Sequence, residues 1–191
     1  MAARKQAPRV EVRVALLRGI NVGGNRRVPM AQLRVLTQRL GWANVATCLQ
    51  SGNVVFTANG DTATAERQLE AAIELHFGFA VPVIVRSGAA WLRAAARCPF
   101  AAAAVERPNL VHLGFSKLRP AAGAAKALAP YCKAGERVVL RGDAIWVDYQ
   151  GGVARSKLTP AVLDRAIGST VTLRNVKTVQ AIAELVRAAP N

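Results

Sequence analysis

The residues of this chain best equipped for chemistry are arginines, amides and glycines gathered at a few turns, and their types suit holding an anion. The foremost stretch is Leu17-Arg18-Gly19-Ile20-Asn21-Val22-Gly23-Gly24-Asn25-Arg26-Arg27-Val28-Pro29-Met30, which leaves an apolar run, turns on glycine and enters a helix. Arg18, Arg26 and Arg27 supply charge-assisted donors and Asn21 an amide. Gly23 and Gly24 permit positive φ or close approach of backbone N–H groups to a phosphate or carboxylate. The spacing is neither G-x-G-x-x-G nor G-x-x-x-x-G-K-[ST], so neither nucleotide fingerprint is met. A strand-to-helix turn also asks for glycine on backbone grounds alone.

A second stretch, Gly151-Gly152-Val153-Ala154-Arg155-Ser156-Lys157-Leu158-Thr159-Pro160, ends in a helix start, Thr159 as N-cap and Pro160 in the first helical position. Arg155, Ser156 and Lys157 then offer two cations and a hydroxyl ahead of a helix N-terminus, which fits an anion or a solvated loop. Ser156 as a nucleophile activated by Lys157 is poorly set up, because neighbours in sequence need not face one another and the S-x-x-K spacing is absent. Arg174 and Asn175, with Thr178, form a third cluster, in which Asn175 serves equally well as a helix cap. Gln50, Ser51 and Asn53 border a tight hairpin at Gly52, whose polar edge can serve turn chemistry or a ligand. General acid–base pairs are scarce: Glu106, Glu136, Asp143 and Asp148 lie near loops or strand ends, and no two share an evident helical face.

Cys48, Cys98 and Cys132 are odd in number, widely spaced and form no C-x-x-C, while His76 and His112 are isolated. No metal site, no cofactor and no disulfide framework is expected, and reduced thiols suit a cytoplasmic protein. Trp42, Trp91 and Trp146 sit in apolar patterns and are expected in the core. Met1 to Arg9 is basic, but the apolar stretch behind it is short and broken by Arg13 and Arg18, unlike a signal peptide. The uncharged run from Leu40 to Gly60 carries Asn44, Thr47, Gln50, Ser51, Gly52 and Asn53, which a spanning helix would bury in lipid, so no membrane partner is expected.

The 191-residue chain has 26 basic and 11 acidic residues, a net charge of +15, and 52% hydrophobic residues, enough for a real core. Such an excess draws nucleic acid, anionic lipid or acidic metabolites, although an arginine bias also follows from GC-rich coding. Between Glu11 and Asp61 there are no acids, while Arg13, Arg18, Arg26, Arg27, Arg34 and Arg39 all lie in that gap.

Periodicity supplies the elements that must position these groups. Strand Val12 to Leu17, helix Met30 to Leu40, strands Val45 to Leu49 and Asn53 to Thr57, helix Thr62 to Phe77, strand Val81 to Arg86 and helix Ala89 to Arg97 make βαββαβ plus a helix. The second half repeats it: strand Leu110 to Phe115, helix Ala121 to Ala129, strands Arg137 to Arg141 and Ala144 to Tyr149, helix Pro160 to Ile167, strand Thr170 to Arg174 and helix Thr178 to Ala188. The fold class expected is α+β, two ferredoxin-like halves each followed by an extra helix. They occupy residues 10–98 and 109–191, with 99–108 as the junction and the cleft between halves a natural ligand position. An RNA-recognition sheet is excluded, since the first strand has no aromatic and the third only Phe56.

The blocks Arg18 to Gly24 with Val28-Pro29-Met30, Leu49 to Phe56, Arg155 to Thr159 and Arg174-Asn175 together resemble the bacterial DUF1697 family, a domain of unknown function, across nearly the whole chain. The resemblance implies a cytoplasmic bacterial α+β protein with duplicated halves, and carries no established activity. The family usually has Tyr at position 48, Asn at 98 and Trp-Asn at 176 and 177, where this chain has Cys48, Cys98, Val176 and Lys177.

The leading expectation is a protein that binds an anionic partner, nucleic acid or a phosphorylated ligand, through Arg18, Arg26, Arg27, Arg155, Lys157 and Arg174. The rivals are an enzyme acting on a small phosphorylated or carboxylated metabolite, and a non-catalytic interaction scaffold.

Overall fold

A computed structural model describes residues 10–190; the basic stretch Met1 to Arg9 lies outside them. Among the described residues eight strands form two four-stranded sheets, and all their pairings are antiparallel. The first contains β1 (Glu11–Leu17), β2 (Ala43–Cys48), β3 (Asn53–Ala58) and β4 (Val83–Ser87) in the order β2-β3-β1-β4. The second contains β5 (Val111–Ser116), β6 (Arg137–Arg141), β7 (Ala144–Asp148) and β8 (Val171–Asn175) in the order β6-β7-β5-β8, the same pattern shifted by four.

Helices α1 (Met30–Arg39) and α2 (Thr62–Phe77) cover one face of the first sheet. Leu33, Leu36, Leu69 and Ile73 from the helices meet Ala15, Leu17, Val54, Phe56, Val83 and Val85 from the strands. Trp42 stacks on Phe56 with ring centroids 3.8 Å apart. Asp61 caps α2 by accepting the amide of Thr64 at 2.7 Å. Arg13 is not a surface cation: it is buried in this unit, and its guanidinium donates to the carbonyls of Gly60 and Asp61.

In the second unit α5 (Ala124–Leu128), continued by a 3-10 turn, and α6 (Pro160–Ile167) pack Leu128, Leu163 and Ile167 against Ile145, Val147 and Val171. Thr159 caps α6 through the amide of Val162 at 3.3 Å. Trp42, Trp91 and Trp146 are all buried, as expected from their apolar settings.

The remaining helices are α3 (Gly88–Ala95), α4 (Ala101–Glu106) and α7 (Val176–Ala188). Among the described residues, 10–91 with 182–190 form one compact unit and 92–181 the other. This differs from the expected halves, because 99–108 is not a bare junction: it holds α4, buries Phe100 and Ala103, and pairs Arg107 with Asp148. The end of α7 rejoins the first unit, where Val186 packs so closely on Gly88 that a Cβ there would lie 2.8 Å from its Cγ1.

Candidate anion-binding site

The connection from β1 to α1 is built around two turns. Val22 to Asn25 closes on itself, the Asn25 amide donating to the Val22 carbonyl at 3.2 Å and the Asn21 amide to that of Arg26 at 3.2 Å. Gly23 and Gly24 occupy the central positions with φ of +59° and +80°, the backbone of a type I′ turn, which explains the glycine pair without any ligand. The pair lies ahead of α1 and not at its first turn, so the cradle at a helix N-terminus expected from the sequence is not how these glycines are used.

Asn21, itself at φ +55°, locks the loop. Its Nδ2 donates to the carbonyls of Val28 at 3.0 Å and Gln50 at 2.8 Å, and its Oδ1 accepts the Val28 amide at 2.8 Å. The Gln50 bond ties this loop to the β2–β3 turn. The Leu17 amide adds a bond to the Gly52 carbonyl at 2.8 Å, and a Cβ on Gly52 would meet Ile20 Cδ1 at 2.5 Å. Asn53, fully buried, fastens the turn from inside by donating to the Cys48 carbonyl at 2.7 Å and the Ser51 hydroxyl at 3.0 Å. The residues singled out at 18–29 and at 49–53 therefore form one two-loop platform in the first unit. Gly23, Gly24, Arg26, Arg27, Gln50 and Ser51 are exposed on it, and Arg18 is partly buried.

The other expected site residues lie in the second unit and divide differently. Arg155 and Lys157 are exposed, while the Ser156 hydroxyl donates to Glu136 at 2.5 Å and accepts the Leu158 amide at 3.1 Å. Burial pushes the Glu136 carboxyl up, but the Ser156 hydroxyl and backbone amides outweigh it and hold the group below its ordinary value. Ser156 thus braces the turn before α6. Arg174 differs from the expected surface cation: it is 8% exposed, its Nη1 donates to Thr172 Oγ1 at 2.8 Å and the Leu173 carbonyl at 2.9 Å, and burial pushes its pKa down to about 10. Such a group anchors a strand and is not presented to a ligand. Asn175 caps α7, its Oδ1 accepting the amide and hydroxyl of Thr178 at 3.0 and 2.9 Å.

A further charged cluster, not legible as such in the sequence, lies in the second unit. Asp148 is fully buried, and its Oδ2 accepts Arg137 Nη2 at 2.7 Å and Arg107 Nη2 at 2.9 Å. Burial raises the Asp148 carboxyl, and the hydrogen bonds and charges of Arg107 and Arg137 more than reverse this, leaving it below the ordinary aspartate value. The signal lay in Arg137 and Arg141 at strand ends, on one face of one strand by the alternation of side chains. Cys48, Cys98 and Cys132 are free thiols raised in pKa chiefly by burial, which argues against reactivity. Among the described residues no His, Cys, Asp and Glu group could hold a metal ion, and no helix is long and apolar enough to cross a membrane.

Residues 10–146 match the model of a family described as protein of unknown function, DUF1697. The fold is similar to the solved structure of a conserved bacterial protein from Streptococcus pneumoniae, with a TM-score of 0.69 and 21% sequence identity over 93% of this chain and 99% of the other. No curated protein matches the chain.

Proposed function

The chain belongs to the DUF1697 family, whose function is unknown, and from that premise we propose that this member binds a polyanion, nucleic acid first, through the two-loop platform of its first unit. The observation that carries the reading is Arg26 and Arg27 exposed, with Arg18 partly buried beside them, on a loop fixed in shape by the three hydrogen bonds of Asn21. A rigid loop presents guanidinium groups with little left to order on binding, and the sequence from Glu11 to Asp61 places no carboxylate in competition. Arg155 and Lys157 provide a further basic turn, and a phosphorylated small molecule would use the same donors. The shared strand order of the two sheets supports reading each unit as a ferredoxin-like half of one duplication. The three free thiols support a reducing cytoplasm.

The test is fluorescence polarisation with a labelled single-stranded RNA. Arg26→Ala should cost roughly 1.5 to 3 kcal/mol of binding, the worth of a charge-assisted contact. Arg34→Ala, on the exposed side of α1, should cost a few tenths, as a surface charge does. Equal affinities for the two variants would leave no localised site on the platform.

A further inference from the structure

We propose that the face of the second unit made by β6 and residues 97–107 is a second phosphodiester-binding surface, with Arg137 as its fixed cation and Arg97 and Arg141 flanking it. The proposal rests on the polyanion reading above and names a separate set of contacts for it.

β6 is an edge strand, and Arg137 and Arg141, four residues apart, project from the same face of it, about 13 Å apart at the rise of a β-strand. The segment beginning at Arg97 lies against that face. Arg141 Nη1 donates to the Arg97 carbonyl at 3.3 Å, and the Arg137 guanidinium sits 4.7 Å over the ring of Phe100. Arg137 is held from two directions: Asp148 Oδ2 accepts its Nε at 3.2 Å and its Nη2 at 2.7 Å, and the buried Phe100 ring fixes its plane. Its side chain is still 49% exposed, and Nη1 takes no protein acceptor among the described residues. A guanidinium oriented by a buried carboxylate and an aromatic face has its side-chain entropy already spent, and one fork edge is left for a phosphate.

The charges do not cancel. Arg107 pairs with Glu106 and shares Asp148 with Arg137, while Arg97 and Arg141, both exposed, form no ion pair among the described residues. Cations spaced along an open strand suit a chain of anions better than a single small one. That geometry selects a nucleic acid backbone over a phosphorylated metabolite.

The experiment titrates full-length protein with a labelled single-stranded RNA 15-mer at several salt concentrations. Arg97→Ala and Arg141→Ala should each weaken binding about fivefold and lower the log–log salt slope by about one, as loss of one phosphate contact does. Arg137→Lys should weaken binding too, because the charge stays while the paired hydrogen bonds and stacking go. Arg119→Ala, an exposed charge elsewhere in the unit, should change nothing, and melting curves should show all four variants folded. If Arg97→Ala and Arg141→Ala behave like Arg119→Ala while Arg26→Ala still weakens binding, this surface is refuted and the platform stands. Wild-type protein that binds anionic lipid vesicles and not RNA overturns both.

Discussion

At Asn21 one carboxamide makes three hydrogen bonds, two within its own loop and one to the neighbouring turn, so the shape of the platform depends on a single side chain. Asn21→Ala should cost about 2 kcal/mol in denaturant unfolding, from several modest bonds lost together. Asn21→Gly should recover about 1 kcal/mol of that by removing the positive-φ strain. Asp148 governs the acid side. Its carboxyl is held below the unfolded value of 3.8 by Arg107 and Arg137, so it contributes stability above that pH and loses it as pH falls through the folded value. Melting temperatures measured between pH 6 and pH 3 should fall more steeply for the wild type than for Asp148→Asn, which should already be about 2 kcal/mol less stable at neutral pH. Asn175 is the helix cap its position before Thr178 allows, and Asn53 bonds within its own turn, so local patterns account for both. Asn21 reaches Gln50 and Ser156 reaches Glu136, partners 29 and 20 residues away that leave no local pattern. Arg174 shows the same limit: its strand was legible, while the burial of the face it occupies was not.

The elements themselves were mostly legible, because amphipathic periods of two and near four survive wherever one face is covered. α2 runs over Thr62–Phe77 as expected, and all eight strands fall within a few residues of their expected places. α4 was not visible: Ala101 to Ala104 has no apolar–polar contrast, and Pro99 and Pro108 on either side suggested a linker. α7 begins two residues earlier than the periodicity indicates, since its first residue Val176 is itself buried. The glycines separate by element in a way that can be measured. Gly24→Ala meets nothing within 4 Å and should cost only the αL penalty, about 1 kcal/mol. Gly52→Ala adds a collision with Ile20 and Leu17 to the same penalty and should cost about 3 kcal/mol. Comparable denaturation midpoints for the two variants would contradict the packing of the β2–β3 turn on the neighbouring loop.

Across the whole molecule, the repeat of element order was readable from sequence, whereas the division into units was not. Val186 belongs with the first unit because it packs on Gly88, a contact nearly a hundred residues away in sequence. Val186→Asp, placing a charge at a position 7% exposed, should destabilise the protein by about 3 kcal/mol in thermal unfolding, and a wild-type melting curve would contradict the placement. The charge of +15 guarantees some attraction for polyanions, so affinity alone does not separate a built site from a diffuse field. The salt dependence of RNA binding by Arg26→Ala/Arg27→Ala, set against Arg39→Ala/Arg67→Ala with the same net charge, makes that separation most directly. The platform reading predicts that the first pair lowers the slope of log K against log salt by about two while the second leaves it near the wild-type value. Equal slopes for the two double variants would contradict it and leave only the field of the whole molecule.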